Sequence, residues 1–197
     1  MSFQVMISQL GSGMMTTIQI FLLTLIFSLP LGLLVAFGRM SGCKVIRIIS
    51  KIYISIMRGT PLMLQIIVVY FAPFYVFRMQ VGTGYRFPAV ILAFVINYAA
   101  YFAEIYRAGI ESIPVGQYEA AQILGYSRFQ TFFKIILPQV VKRILPSVTN
   151  EVITLVKDTS LAFTLSVAEM FSIAKALAAS QTNMIPFVAA GLFYYEV

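Results

Sequence analysis

Two carboxylates, Glu151 and Asp158, fall in or just beyond a stretch of chain otherwise apolar enough to cross a bilayer. Carrying such a group into hydrocarbon is expensive unless it has a partner or a task. The two are seven residues apart, close to two helical turns, and share a face if the helix persists that far. Asn97, Tyr101 and Glu104 make a second polar face on another apolar stretch, at spacings of four and three. Carboxylates so placed can hold an ammonium group, a proton or a sodium ion, and the neighbouring Lys157 can meet an anion. Other chemistries are closed off. With no His and a single Cys, Cys43, there is no His-based catalysis, no internal disulfide and no plausible metal cluster. Gly-x-x-x-x-Gly-Lys-[Ser/Thr] does not occur, and even the dipeptide Gly-Lys is missing, so no P-loop phosphate cradle is present.

The elements that carry these residues are membrane helices. The chain is 60% hydrophobic and 11% charged, with mean hydropathy +0.90, a balance that points to lipid rather than water. Residues 1–38 hold no charge, more than the roughly 20 apolar residues a span requires. A first span is expected over Thr16 to Gly38, retained rather than cleaved, because its first cation, Arg39, follows the apolar run. A second is expected over Gly59 to Phe77, reaching back toward Lys51 with Arg58 near its cytosolic end. A third covers Phe87 to Ala103 and continues past Glu104, and a fourth runs from Gln139 to Val156. A fifth starts near Met184 and reaches Val197, short for a bilayer core, so an incomplete last span is expected.

Ten cations, Arg39, Lys44, Arg47, Lys51, Arg58, Arg107, Arg128, Lys134, Lys142 and Arg143, lie on one side of this arrangement, and four, Arg78, Arg86, Lys157 and Lys175, lie on the other. The positive-inside rule makes the first side cytosolic and puts the N-terminus outside. The net charge of +7 sits at membrane flanks without a compact basic domain, which argues against nucleic acid as a partner. The chain is expected to form one transmembrane domain over 1–197, with 107–143 as its cytosolic loop.

Within that loop Pro114 suits a first helical turn, Val115 to Leu124 can follow as a short helix, and Gly125 can supply a left-handed stop. Ser127 and Gln130 have capping-box spacing and open a second short helix, which Pro138 limits from the far side. Glu119-Ala120-Ala121, three residues, Gly125, nine residues and Ile135-Ile136-Leu137-Pro138 together resemble the EAA loop of ABC importer permeases. Arg58-Gly59-Thr60-Pro61-Leu62, Ala99 to Arg107, and Lys157-Asp158-Thr159-Ser160-Leu161 resemble further blocks of the polar amino acid uptake branch, in the same order.

That resemblance implies an all-α integral membrane fold of about five spans, in the bacterial cytoplasmic membrane, importing polar amino acids by alternating access. It implies a partner ATPase dimer carrying ATP and Mg, a second permease copy, identical or related, and an extracytoplasmic binding protein. Glu119, Ala120, Ala121 and Gly125 would then couple to the ATPase, and Ala120 and Ala121 would let the helix backbone seat closely in a partner groove. The substrate pocket would lie along the fourth span and the turn after it. Glu151 or Asp158 would meet the substrate ammonium and Lys157 its carboxylate, with Thr159 and Asn97 nearby. In a plainer alternative, Lys157 and Asp158 form an outer-surface pair and Glu151 pairs within the bundle. Arg58 is weighed as structural or interfacial and Glu104 as structural. Ser166 to Leu177 is expected to be an amphipathic helix with Val167, Met170, Phe171, Ala174 and Leu177 on one face. Two other functions stay open: an ion-driven secondary transporter using Glu151 and Asp158, and a membrane assembly subunit that only docks a cytosolic protein.

Overall fold

The structure, a computed structural model, describes residues 3–196, which form helices joined by short connections, with no strand among them. Val197, the expected end of the fifth span, lies outside the described residues. In chain order the helices are α1 (Phe3–Met40), α2 (Lys44–Gly59), α3 (Leu62–Phe77), α4 (Arg86–Glu111), α5 (Val115–Ile123), α6 (Arg128–Gln130), α7 (Leu137–Asp158), α8 (Met170–Gln181) and α9 (Ile185–Glu196). Two stretches, Gln4–Met40 and Thr83–Glu111, are long and apolar enough to cross a membrane, and up to four are if each of two bent helix pairs counts as one span. Ile185–Tyr195 adds a shorter apolar helix.

The bundle is built on the α1–α4 contact, the most extensive in the molecule. It depends on small residues, because lipid offers no hydrophobic drive and helices in it gain by close packing. A Cβ at Gly32 would stand 2.8 Å from Phe102 Cβ and 3.0 Å from the Ala99 carbonyl oxygen, so only glycine lets the two backbones approach this far. Around this line Ile20, Ile66, Phe94, Tyr98, Phe102 and Leu155 form the main core. A second cluster joins Met6 and Leu10 of α1 to Met170, Ala174 and Leu177 of α8 and Ala190 of α9.

Three expectations are corrected. The second span does not extend back toward Lys51: α2 and α3 meet at 113° across Gly59–Pro61. Proline disfavours helical torsions in the residue before it, and Thr60 is extended at φ −122°, ψ 148°. Nor does Pro138 bound a separate short helix, and the fourth span does not start afresh at Gln139. From Arg128 the chain runs through a π-helical turn, Thr131–Ile136, directly into α7. A π turn changes the local hydrogen-bond pattern, and the missing Pro138 N–H falls where that turn gives way to α7. Finally, the amphipathic helix starts at Met170 and not at Ser166. Ser166 is left-handed at φ 56°, and Glu169 caps α8 by accepting from the backbone N–H groups of Phe171 and Ser172.

Candidate functional site

Where α2, α4 and α7 converge, a cavity of about 820 Å³ opens between apolar walls and four charged groups, Arg58, Glu104, Arg143 and Glu151. The charges differ in how far they are committed. Glu104 is paired with Arg107 at 2.6 Å and approaches Arg39 at 4.0 Å, and Arg107 also binds Glu111. Arg143 donates to the Ser112 hydroxyl at 3.0 Å and to the Ser112 carbonyl. The Arg58 guanidinium lies 5.2 Å from the centre of the Tyr101 ring, a cation–π position, and forms no ion pair among the described residues. Half-buried Glu151 has neither an ion pair nor a hydrogen-bonded side-chain partner among the described residues. The cavity therefore offers one uncommitted anion and one uncommitted cation, with Ser147 and Asn150 as neutral polar groups.

The helix does persist from Glu151 to Asp158. Asp158 is used inside the bundle, accepting from the buried Tyr98 hydroxyl at 2.7 Å. Lys157, next to it, is exposed. Thr159 is fully buried and donates to the Val156 carbonyl at 2.6 Å. Asn97 is 4% exposed; its Nδ2 donates to Gln65 Oε1 at 3.0 Å and to the Met57 carbonyl at 3.1 Å, which bridges the α2–α3 break. Of the five residues assigned to the substrate, only Glu151 lines the cavity.

The loop follows directly from the end of α4 that lines the cavity. α5 covers Val115–Ile123, and Leu124 and Gly125 close it. Gly125 adopts φ +78°, and the N–H groups of Tyr126 and Gly125 bond back to the carbonyls of Ala121 and Gln122, both at 3.0 Å. This is the 6→1 and 5→2 pattern of a Schellman stop. The capping box forms as its spacing predicts: Ser127 Oγ accepts from the Gln130 N–H at 3.3 Å, and Gln130 Oε1 accepts from the Ser127 N–H at 3.0 Å. Glu119 and Ala120 are exposed, whereas Ala121 is 1% exposed and packed against its own chain. Around them Val115, Ile123, Leu124 and Phe129 are 69–86% exposed, a large apolar display for so short a segment.

Residues 28–195 match the protein family described as binding-protein-dependent transport system inner membrane component. The chain belongs to this family. It is 37% identical over 190 residues to the L-cystine transport system permease protein TcyB of Bacillus subtilis, covering 95% of this chain and 80% of that one. It is 34% identical over 184 residues to the putative glutamine transport system permease protein GlnP of Rickettsia conorii, covering 93% and 83%. Among solved structures, the crystal structure of an amino acid ABC transporter with histidines matches at TM-score 0.86 and 30% identity, over 99% of this chain and 91% of that one. The MetNI methionine ABC transporter shares the fold at TM-score 0.70 and 20% identity, over 99% and 93%.

The chain is thus an ABC transport permease, which decides against the ion-driven alternative. Sequence reasoning missed the part of this inner membrane component that makes the cavity polar on both sides. In sequence Arg58 reads as structural or interfacial, and Arg143 counts only toward orientation. The signal for Arg143 was present: Ser147, Asn150 and Glu151 follow it at four, seven and eight residues, one face of a helix. Arg58 gave none, since its direction depends on the 113° turn that follows.

Proposed function

We propose that this permease imports polar amino acids across the bacterial cytoplasmic membrane, driven by ATP hydrolysis on a partner ATPase dimer that carries ATP and Mg. The observation that carries the substrate class is the pairing of uncommitted Glu151 with uncommitted Arg58 in one cavity. An amino acid presents an ammonium and a carboxylate, and these two side chains are the complements of each. Lys157 stands at the end of α7 as a further cation for the carboxylate. Asp158, Thr159 and Asn97 serve the path by fixing the α7 terminus and the α2–α3 bend. The relatives TcyB and GlnP carry cystine and glutamine in their names, which supports a polar amino acid without choosing one.

Glu119, Ala120 and the apolar side chains around them form the surface that meets the ATPase, with Ala121 and Gly125 shaping it from beneath. Closure of the ATPase pair moves this surface, α7 carries the movement to Glu151, and the path opens alternately to either side. A second permease copy, identical or related, supplies the other half of the path, and an extracytoplasmic binding protein delivers the substrate. The loop faces the cytosol and the N-terminus the exterior.

ATP hydrolysis by the complete transporter in lipid, with and without a panel of amino acids, tests this reading. Wild type is expected to respond to at least one polar amino acid. Glu119→Arg abolishes that response while the subunits still co-purify. Glu151→Gln weakens it roughly ten- to hundredfold in ligand concentration, the value of one charge-assisted hydrogen bond. Hydrolysis indifferent to Glu119→Arg sinks the coupling role, and an unchanged ligand response in Glu151→Gln sinks the substrate role.

A further inference from the structure

α2 has three distinct faces. Tyr53, Ile54 and Met57 turn inward onto α1 and α4, with the Tyr53 hydroxyl donating to the Ile96 carbonyl at 2.5 Å. On a second face Val45, Ile48, Ile49, Ile52 and Ile56 are 51–64% exposed. On the third, Lys44, Arg47 and Lys51 follow at spacings of three and four, all exposed and without an ion pair among the described residues, and no acidic residue occurs in α2. A helix with a broad apolar face and a basic one suits the boundary between headgroups and acyl chains. Its place fits: α2 starts four residues beyond the end of α1, on the side the cation count makes cytosolic, and lies at 113° to the membrane helix α3.

A second observation adds to the apolar face. In the crook of the bend an almost wholly apolar crevice of about 280 Å³ is lined by Ile56, Leu64, Val68, Ala93 and Ile96. Ile56, Leu64 and Val68 are each more than half exposed, so the crevice opens on the same side as the isoleucine row. A second copy of this chain is a poor cover for α2. It would bring a like-charged row toward Lys44, Arg47 and Lys51, and the chain offers only seven acidic residues against fourteen basic ones.

We propose that α2 is an anchor for anionic phospholipid, with lipid phosphate on Lys44, Arg47 and Lys51 and an acyl chain in the crevice at the α2–α3 bend. Arg58 lies on the same rigid helix, so bound lipid holds one charged wall of the cavity in position.

The test uses the complete transporter. Phosphatidylglycerol and phosphatidylcholine retained on it after delipidation are compared by native mass spectrometry, in wild type and in a Lys44→Gln, Arg47→Gln, Lys51→Gln triple variant. Each basic residue near an anionic surface contributes roughly fivefold in partition. The variant is expected to lose phosphatidylglycerol preference by at least about tenfold. Equal retention in both overturns the proposal. Independently, a spin label on Ile52→Cys in a Cys43→Ser background reports what covers the isoleucine row. Accessibility to oxygen but not to a water-soluble nickel chelate supports lipid. Protection from both means that a protein, the second permease copy foremost, covers the face, and nickel accessibility means water; either result overturns the proposal.

Discussion

A single amide, that of Asn97, reaches both sides of the α2–α3 break, donating to the Met57 carbonyl before it and to Gln65 after it. Gln65 in turn donates to the Met57 carbonyl at 2.9 Å and to Thr60 Oγ1 at 2.8 Å, so the polar groups freed by the bend are satisfied locally. Asn97→Ala leaves Gln65 Oε1 without its donor, while the Met57 carbonyl keeps that of Gln65, at a cost of about 1–3 kcal/mol. The expected result is a lower thermal midpoint of the purified transporter without loss of ATPase assembly, read by thermal shift and co-purification. Cys43 makes a residue-scale test of orientation. It is exposed at the start of α2, where the backbone N–H groups of Ile46 and Val45 lower its thiol pKa. A lowered pKa means more thiolate at neutral pH. Alkylation at pH 7 is expected to outpace that of an unstructured cysteine peptide, and the advantage shrinks as the pH rises and both become thiolate. A membrane-impermeant maleimide should label Cys43 in inverted vesicles and not in intact cells; labelling in intact cells reverses the assigned topology.

At the scale of elements, the chain from Arg128 to Asp158 is one continuous helix whose hydrogen-bond pattern is changed by the π turn Thr131–Ile136 and again at Pro146 inside α7. It joins the exposed loop to the residues lining the cavity, so angular register along it matters. Deleting Val141, in the α-helical part, shifts everything on one side of the deletion by about 100° relative to the other. ATP hydrolysis is then expected to persist at the ATPase while amino acid no longer stimulates it, measured on the reconstituted complex. Gly32→Val tests packing instead: it forces α1 from Phe102 and Ala99, and overpacking of this kind costs about 1–3 kcal/mol. Yield and thermal midpoint should both fall, and an unchanged midpoint would show that the α1–α4 contact is looser than described. Much of this was legible in sequence. The Schellman stop at Gly125 and the Ser127–Gln130 box follow from local backbone chemistry, which needs no tertiary knowledge. The α2–α3 bend is only partly legible: Gly59 and Pro61 can kink a helix, but apolar content alone treats Lys51 to Phe77 as one run, so neither the size of the bend nor the separation of α2 follows from it. The π turn left no compositional mark, and only after it was seen could Pro138 be placed inside a continuous helix. The same limit applies to the site. Spacing put Glu151 and Asp158 on one helix, but only packing showed that Tyr98 takes Asp158 and leaves Glu151 open.

At the scale of the molecule, the bundle has two unequal halves. The main core centres on α4, and the second cluster closes α8 and α9 against the first turns of α1. Buried Glu169 ties that closure together: it caps α8, accepts from Ser172 and receives the Tyr194 hydroxyl of α9 at 3.3 Å. Glu169→Ala removes the cap and leaves Tyr194 without its acceptor, so increased proteolysis of the α8–α9 region is expected, read by limited digestion in detergent, while Glu169→Gln recovers part of the protection. The contact between Thr17 and Met170 spans 153 residues. In time rather than space, this means that α1 leaves the ribosome 153 residues ahead of the helix it packs on. At ordinary elongation rates the wait is on the order of ten to thirty seconds, during which the Met6–Thr17 face of α1 sits in the membrane without its native cover. The quality-control window for this packing opens with α1 and closes only with α8 and α9.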